Sequence, residues 1–173
     1  GMGVGKLSDQ LGIDPEEAKE LIKKYNEKVP FVRKLADQVG SHAQKKGSVK
    51  TFLGRRCRFD LWEPRTFGSF KAYPHDRAVE EYGQHTPLQR SGTYKALNRL
   101  IQGSAADQTK KAMIDLYNEG IVPMIQIHDE LAISLDGSEE QKNKVIEIME
   151  NALDLSIPSK VDVAIADNWG ETQ

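Results

Sequence analysis

The sequence has few of the features that mark secreted or membrane proteins. Its 173 residues hold one cysteine, Cys57, so an internal disulfide is excluded and a reducing compartment is indicated. No apolar run approaches the roughly 20 residues that a membrane-spanning helix needs. Polar residues interrupt the first stretch between Lys6 and Gln10, which argues against a signal peptide. We therefore expect a protein without a membrane segment.

Positive charge is scarce in the last third of the chain and in excess before it. Residues 1–111 hold 21 Lys and Arg against 13 Asp and Glu, whereas residues 112–173 hold 3 against 13. The net charge of −2 therefore combines a surplus of 8 positive charges with a later deficit of 10. A basic part can face phosphates, and an acidic part suits cation binding, although surface charge is also uneven by chance.

Hydrophobic periodicity predicts a mixed chain of helices and strands without internal repeats. Helices are predicted from Asp14 to Gly40 or Gly47 with a break at Pro30, from Gln89 to Asn118, and from Ser138 to Leu153. Strands are predicted as a hairpin over residues 48–59 that turns at Gly54, as a second hairpin from residues 122–126 and 131–135, and over residues 161–166. Residues 60–92 have no lasting period and predict a long loop with a short helix near residues 76–82.

The stretch from Ile125 to Leu135 alternates apolar residues on both sides of a polar centre, His128-Asp129-Glu130. Such a pattern predicts two strands joined by a tight turn, with the polar residues at its tip. A carboxylate pair on a rigid turn can hold a hard divalent cation. A plain surface turn is the alternative, because Asp is common in turns.

The helix predicted for residues 89–118 carries two amides four residues apart, Asn98 and Gln102. Residues at this spacing share a helical face, and amides suit the minor groove of DNA, where every base pair offers an acceptor. A buried hydrogen-bond bridge is the alternative for each amide. The apolar residues expected to form the buried stripe of this helix are Leu97, Leu100, Ile101, Ala105, Ala112, Met113 and Leu116.

Residues 45–58 carry only positive charge: Lys45, Lys46, Lys50, Arg55, Arg56 and Arg58. With Phe52 and Phe59 interleaved on a hairpin, this pattern favours nucleic-acid contacts at least as much as a solvated surface. Two further candidates, His75 and His85, stand without a cysteine or carboxylate at ligand spacing, so they are weak evidence for zinc.

Several of these segments together resemble family A DNA polymerases of the bacterial DNA polymerase I type. Asn98 to Asp107, followed by Lys110 to Met113, resembles the long palm helix, and His128-Asp129-Glu130 in its hairpin looks like motif C. Gly47 to Arg56 is similar to the family pattern Gly-x-Val-x-Thr-x-x-Gly-Arg-Arg. Asn168-Trp169 matches a near-terminal Asn-Trp, and residues 1–13 resemble the segment after the fingers helix.

The resemblance implies an α+β fold, in which an antiparallel palm sheet with the motif C hairpin packs against long helices. The implied divisions are fingers-base helices at 1–47, the basic hairpin at 48–59, a loop or insertion at 60–88, and palm at 89–173 with the hairpin at 122–135. It also implies bacterial or phage-infected host cytoplasm as the location.

The resemblance further implies a DNA-directed DNA polymerase that uses two Mg²⁺ ions roughly 3.5–4 Å apart to join deoxynucleotides to a primer. Asp129 would be the catalytic metal-binding carboxylate, supported by Glu130, and His128 would point toward the primer terminus. Asn98 and Gln102 would contact the minor groove of primer–template DNA. The cations implied to meet DNA phosphates are Arg55, Arg56, Lys50, Lys45 and Lys46.

The sequence also departs from the family pattern at several points. The second metal-binding carboxylate and the helix that grips the nucleoside triphosphate are not found in these residues, and Tyr94 stands where the family often has Arg. We therefore expect a C-terminal polymerase part with an incomplete palm, inactive alone, that needs the missing N-terminal part. Gly1 before Met2 resembles a cloning remnant. An incomplete sheet exposes an edge, which predicts self-association.

Two other functions stay open. One is a non-catalytic DNA-binding module or split-polymerase subunit that acts with a partner chain. The other is an unrelated metal-dependent hydrolase built on His128 and Asp129, which would need further ligands at suitable spacing.

Overall fold

The computed structural model describes residues 3–66 and 68–171 as helices joined by small antiparallel sheets. The predicted α+β class is confirmed. The chain divides into two compact units, Gly1–Ile101 and Gln102–Gln173. The cloning remnant expected at Gly1-Met2 lies outside the described residues. Within residues 3–66 and 68–171, no helix has the length and apolarity to cross a membrane.

The first unit begins with three helices: α1 (Val4–Leu11), α2 (Pro15–Lys28) and α3 (Pro30–Lys46). The side chain of Asp14 caps α2 by accepting a hydrogen bond from the Glu16 amide at 2.7 Å, and Pro15 fills the first helical position, as predicted. The predicted break at Pro30 separates α2 from α3, because proline has no amide hydrogen to continue the helix. Gly47, with φ at 70°, ends α3.

The predicted basic hairpin is confirmed as β1 (Ser48–Lys50) paired with β2 (Arg56–Arg58). Its base is anchored in a hydrophobic core that also includes the end of α3 and the first turns of a later helix. The buried members of this core are Ala43, Val49, Phe59 and Ala96, with Val39, Cys57 and Leu100 packed around them. The hairpin is therefore held by packing at its base while its turn projects outward.

The prediction of a long loop over residues 60–92 is wrong. The segment forms a three-stranded antiparallel sheet in the order β4-β3-β5, from β3 (Leu61–Pro64), β4 (Tyr73–Pro74) and β5 (Leu88–Arg90). The helix α4 (His75–Tyr82) confirms the short helix predicted there. Strands of two to four residues are too short to show a period of two, which is why the sequence pattern missed them.

The long helix α5 spans Ala96–Asn118 and so begins later than the predicted Gln89. Gln89 lies in β5 opposite Glu63, and Gly92 adopts a left-handed φ of 72° before the short 3-10 turn Thr93–Lys95. A left-handed residue cannot continue an α-helix, so the helix starts only after this turn.

The predicted buried stripe of α5 is partly correct. Ala112 and Leu116 are buried, and Leu97, Leu100 and Met113 are half-buried. Ile101 and Ala105 are exposed, so that part of the prediction is wrong. They follow the same helical spacing as the buried residues, but the described part of the chain does not cover that face well enough to bury them.

The second unit contains the hairpin of β6 (Pro123–Ile127) and β7 (Glu130–Ile133), followed by α6 (Glu139–Glu150). Ser138 caps α6 by accepting from the Gln141 amide at 3.1 Å, as the sequence predicts. The helix ends at Glu150 rather than Leu153. The strand predicted for residues 161–166 is wrong, because these residues join no sheet among those described.

Candidate active site and nucleic-acid interface

The β6–β7 hairpin fixes the shape of the motif that carries the candidate carboxylates. Ile127 pairs with Glu130, so His128 and Asp129 alone form the turn. His128 has φ at 53°, the only positive value among the non-glycine residues described, and histidine is one of the residues that tolerate it best. The Gln126 side-chain amide donates to the His128 carbonyl at 2.6 Å. This hydrogen bond and the two-residue turn define the backbone path at the tip.

The three polar residues of the tip, His128, Asp129 and Glu130, are all exposed. The carboxylate oxygens of Asp129 and Glu130 are ligands of the kind that Mg²⁺ prefers, and Mg²⁺ is commonly held by one or two carboxylates together with waters and substrate phosphates. In the part of the chain that the structure describes, no three His, Cys, Asp or Glu residues gather as a metal site. The chemistry of the tip therefore suits it to supply some of the ligands of a magnesium site, with further oxygen ligands coming from other residues, water or substrate.

The candidate amides lie on an open face of α5. Asn98 and Gln102 are both exposed, one helical turn apart, and the neighbouring Ile101 and Ala105 are exposed as well. This face therefore combines amide donors and acceptors with short or apolar side chains that project little. Such a surface suits the floor of a DNA minor groove, whose acceptors an amide can reach.

The basic hairpin concentrates positive charge in a stretch of sequence that contains no acid. Lys50 lies directly opposite Arg56 across β1 and β2, and both side chains are exposed. Like charges in this position destabilise a sheet, whereas a bound anion would relieve the repulsion. Arg55 and Arg58 are exposed on the same hairpin, so the whole element favours a polyanionic partner.

The last two predicted cations, Lys45 and Lys46, end α3 immediately before this hairpin and are exposed. Cations in the last helical turn also interact favourably with the helix dipole, which explains them without a ligand. Arg99, which the sequence did not single out, places its guanidinium 4.9 Å from the Phe59 ring centroid. It adds a cation beside the hairpin base, on the first turns of α5.

Arg90 ties the hairpin to α3, and Gln44 of α3 links Arg90 to the turn before α5. Its guanidinium donates to the Phe59 carbonyl at 2.8 Å and lies 4.5 Å from the Trp62 ring centroid. The Gln44 amide donates to the Arg90 carbonyl at 2.8 Å and to the Thr93 hydroxyl at 2.7 Å, and its oxygen accepts from the Arg90 amide at 3.0 Å. Residues 46 apart in sequence meet here, so no local sequence signal could have identified this network.

Neither of the two scattered histidines belongs to a cluster of metal ligands among the described residues. His75 packs edge-on against Trp62, with ring centroids 4.9 Å apart, and its Nδ1 lies 3.4 Å from the Asp76 carboxylate. His85 is exposed in the turn before β5. These positions agree with a structural role for His75 in the small sheet.

Comparisons with known proteins identify the family of this chain. The sequence profile of DNA polymerase family A matches residues 1–171. The chain belongs to DNA polymerase family A. Among curated family members, it is 38% identical to the DNA-directed DNA polymerase of Pseudomonas phage M6 over 156 residues, which cover 90% of this chain and 20% of the relative. It is 32% identical to the thermostable DNA polymerase I of Thermus filiformis over 179 residues, which cover 100% of this chain and 19% of that protein.

A solved polymerase domain has a similar fold. The POL domain of Pol1 from M. smegmatis, in complex with DNA primer-template and dNTP, superposes with a TM-score of 0.67 at 31% identity, covering 91% of this chain and 26% of that one. The chain spans about a fifth of the length of the two curated relatives. The family resemblance inferred from the sequence is thus confirmed, while the roles of individual site residues stay predictions.

Proposed function

We propose that this chain is the part of a DNA-directed DNA polymerase that presents a metal-binding carboxylate and holds primer–template DNA. The observation that carries the proposal is the family A match over residues 1–171, together with Asp129 on the exposed tip of the β6–β7 hairpin. Palm residues would lie at 89–173 and the fingers base at 1–47. The structural relative that binds primer-template and dNTP supports these as the substrates.

Each residue of the tip has a distinct part in this proposal. Asp129 supplies carboxylate oxygens to magnesium, and Glu130 adds negative charge beside it. Mg²⁺ held there would supply charge that activates the primer 3′-hydroxyl and stabilises the α-phosphate of the incoming deoxynucleotide as pyrophosphate leaves. The two-residue turn, with the Gln126 side-chain amide donating to the His128 carbonyl, sets the backbone from which Asp129 is presented to solvent. His128 itself faces the primer terminus.

The exposed amide face of α5 and the basic hairpin hold the DNA. Asn98 and Gln102 hydrogen-bond to minor-groove acceptors, which are present at every base pair, so the contact is insensitive to sequence. The hairpin cations neutralise phosphates and would make binding strongly salt-dependent. The residues assigned to phosphates are Lys45, Lys46, Lys50, Arg55 and Arg56.

Two bridged metal ions require a second bridging carboxylate that faces Asp129 from another segment, because the adjacent Glu130 lies on the same hairpin tip. Within the described residues, no three His, Cys, Asp or Glu residues gather as a metal site, so we propose that these 173 residues alone do not extend a primer. A segment that carries the second carboxylate, in a longer chain or in a partner chain, would complete the site.

Primer extension tests this proposal. The isolated chain is assayed with Mg²⁺, deoxynucleotides and a labelled primer–template, and then within a longer polymerase that contains a second carboxylate segment. We expect extension only in the longer form. In the longer form, Asp129→Asn should lower the rate of extension by roughly a thousandfold, because a metal site contributes several kcal/mol to transition-state stabilisation. The control Asp154→Asn, at another exposed aspartate, should leave the rate unchanged. Extension by the isolated chain, or full activity of Asp129→Asn, would contradict the assignment.

A second candidate function is a DNA-binding module that acts with a partner without taking part in chemistry. The charge of the first unit favours it, since residues 1–101 hold 19 Lys and Arg against 12 Asp and Glu. Salt-sensitive duplex binding by the isolated chain, with no loss of activity from Asp129→Asn in the longer form, would support this function instead.

A further inference from the structure

The turn of the basic hairpin has a well-defined construction. The Gly54 amide donates to the Thr51 carbonyl at 2.9 Å, and the Thr51 amide donates to the Arg55 carbonyl at 2.8 Å. Phe52 and Leu53 are therefore the two central residues of a β-turn, and Gly54 follows with a left-handed φ of 84°. This is a common three-residue hairpin loop, in which glycine takes the position that other residues avoid.

The residues at the centre of this turn are unusual for their position. Turn centres are normally Gly, Pro, Asn, Asp or Ser, but here they are Phe52 and Leu53, which are 56% and 52% exposed. Val49 and Phe59 at the base of the hairpin are buried, so the strands cannot shift to cover the tip without leaving the core. We call Phe52 and Leu53 the apolar prong.

Positive charge surrounds the apolar prong. Lys50 precedes it, Arg55 and Arg56 follow it, and all three are exposed. An apolar protein partner would have to bury charge beside the prong, whereas nucleic acid offers both phosphates for the cations and apolar base faces for the prong. Charge complementarity therefore selects nucleic acid as the occupant.

We propose that the apolar prong packs against nucleobases at the junction between duplex and single-stranded DNA, while the neighbouring cations hold the phosphates. This inference rests on the proposed function. Base faces inside a duplex are already stacked, so a wedge there must first separate them. At a junction the first unpaired base has a free face, and packing on it requires no unstacking. A blunt end also exposes a base-pair face, but it has no phosphates beyond that face for the surrounding cations. The prong thus adds a contact that does not depend on salt and, together with these cations, favours junctions over blunt duplex.

Equilibrium binding of the 173-residue chain tests the proposal. The DNA ligands are a blunt duplex and the same duplex with a single-stranded overhang that carries 2-aminopurine as its first unpaired base. The double variant Phe52→Ala/Leu53→Ala is compared with Lys50→Gln/Arg56→Gln. Phe31→Ala, which removes a 67% exposed ring from α3, is the matched control. Each protein is titrated at several salt concentrations.

The prong variant should bind the overhang DNA about tenfold more weakly, with an unchanged slope of log affinity against log salt, and should lose the 2-aminopurine signal. Its affinity for blunt duplex should change little. The cation variant should reduce the salt slope by about 0.9 for each phosphate that is no longer neutralised, and Phe31→Ala should match the parent. Phe52→Trp, which keeps a stacking ring, should retain junction preference.

The outcomes separate this inference from the proposed function. If the parent chain binds DNA and the prong variant shows the same affinity and fluorescence, the prong assignment is overturned and the proposed function stands. A reduced salt slope in the prong variant would also overturn it, because the weaker binding would then be ionic in origin. If the parent chain binds neither DNA, both proposals fall.

Discussion

Replacing Gly47 by alanine tests the contact that joins α3, the basic hairpin and Arg90. Gly47 adopts φ of 70°, and a Cβ atom added there would lie 2.8 Å from the Arg90 Cζ and 2.9 Å from its Nη1. The Gly47 carbonyl also accepts from the Phe59 amide at 2.8 Å, so the backbone is held on both sides. The alanine must therefore displace the Arg90 guanidinium, because the peptide itself cannot move freely.

The expected loss of stability has two parts. A left-handed alanine costs roughly 1–2 kcal/mol. Displacing the guanidinium weakens its hydrogen bond to the Phe59 carbonyl, and a bond to a charged group is worth about 1.5–3 kcal/mol. Because Arg90 is only half-buried and water can replace part of that bond, we expect Gly47→Ala to lower the free energy of unfolding by about 2–4 kcal/mol in total.

Gly12 provides the matched control. It also ends a helix with a left-handed φ, at 64°, but its added Cβ would meet nothing within 4 Å. Gly12→Ala should therefore cost only about 1–2 kcal/mol. In an Arg90→Ala background the cost of Gly47→Ala should fall to the same value, because the clash is gone.

Urea unfolding followed by tryptophan fluorescence measures these differences. Trp62 lies 4.5 Å from the Arg90 guanidinium and reports on this network, and Trp169→Phe removes the other tryptophan from the signal. Equal costs for the two glycine substitutions, or no coupling between Gly47 and Arg90, would refute the reasoning.

Two further predictions concern the second unit. The pKa of Glu150 is lowered by its hydrogen bond from Lys160 at 3.0 Å, aided by the Val161 amide at 3.2 Å. These hydrogen bonds to the ionised Glu150 carboxylate stabilise the folded chain. The stabilisation is fully present above the ordinary glutamate pKa of about 4.3 and is lost as the pH falls through the lower pKa of the folded chain. Glu150→Gln should remove this pH-dependent protection of the Val161 amide from hydrogen exchange. If the exchange profile of Val161 against pH is the same in the variant and the parent, the proposed role of Glu150 is excluded. We also expect self-association through β6 and β7, where Met124 is 70% exposed. Met124→Lys should reduce it in light scattering, and a parent chain that stays monomeric at high concentration would contradict it.

The elements that the sequence predicted best are those with local physical causes. Asp14 and Ser138 cap their helices through hydrogen bonds two and three residues away. The β6–β7 hairpin follows from alternation on both sides of a two-residue turn. In each case the residues that determine the structure are close in sequence, so composition and spacing are enough to locate them.

The elements that the sequence missed depend on distant residues. The sheet of β3, β4 and β5 has strands too short for a pattern, and Trp62 finds its partner Arg90 28 residues further along the chain. The Gln44 and Arg90 network spans 46 residues. Periodicity reports which face of an element is apolar, but it carries no information about which segment will pair with it.

The exposed Ile101 and the strand wrongly predicted over residues 161–166 have one explanation. Hydrophobic spacing predicted burial for Ile101 and a paired strand for Val163 and Ile165, yet these side chains are 54%, 47% and 62% exposed. An apolar pattern specifies that a surface is suited to burial, whichever molecule covers it. Ile101 lies beside the two amides of α5, a face proposed to meet DNA, so its pattern is consistent with burial on binding. The same spacing thus marks both core and interface, and only the structure separates the two.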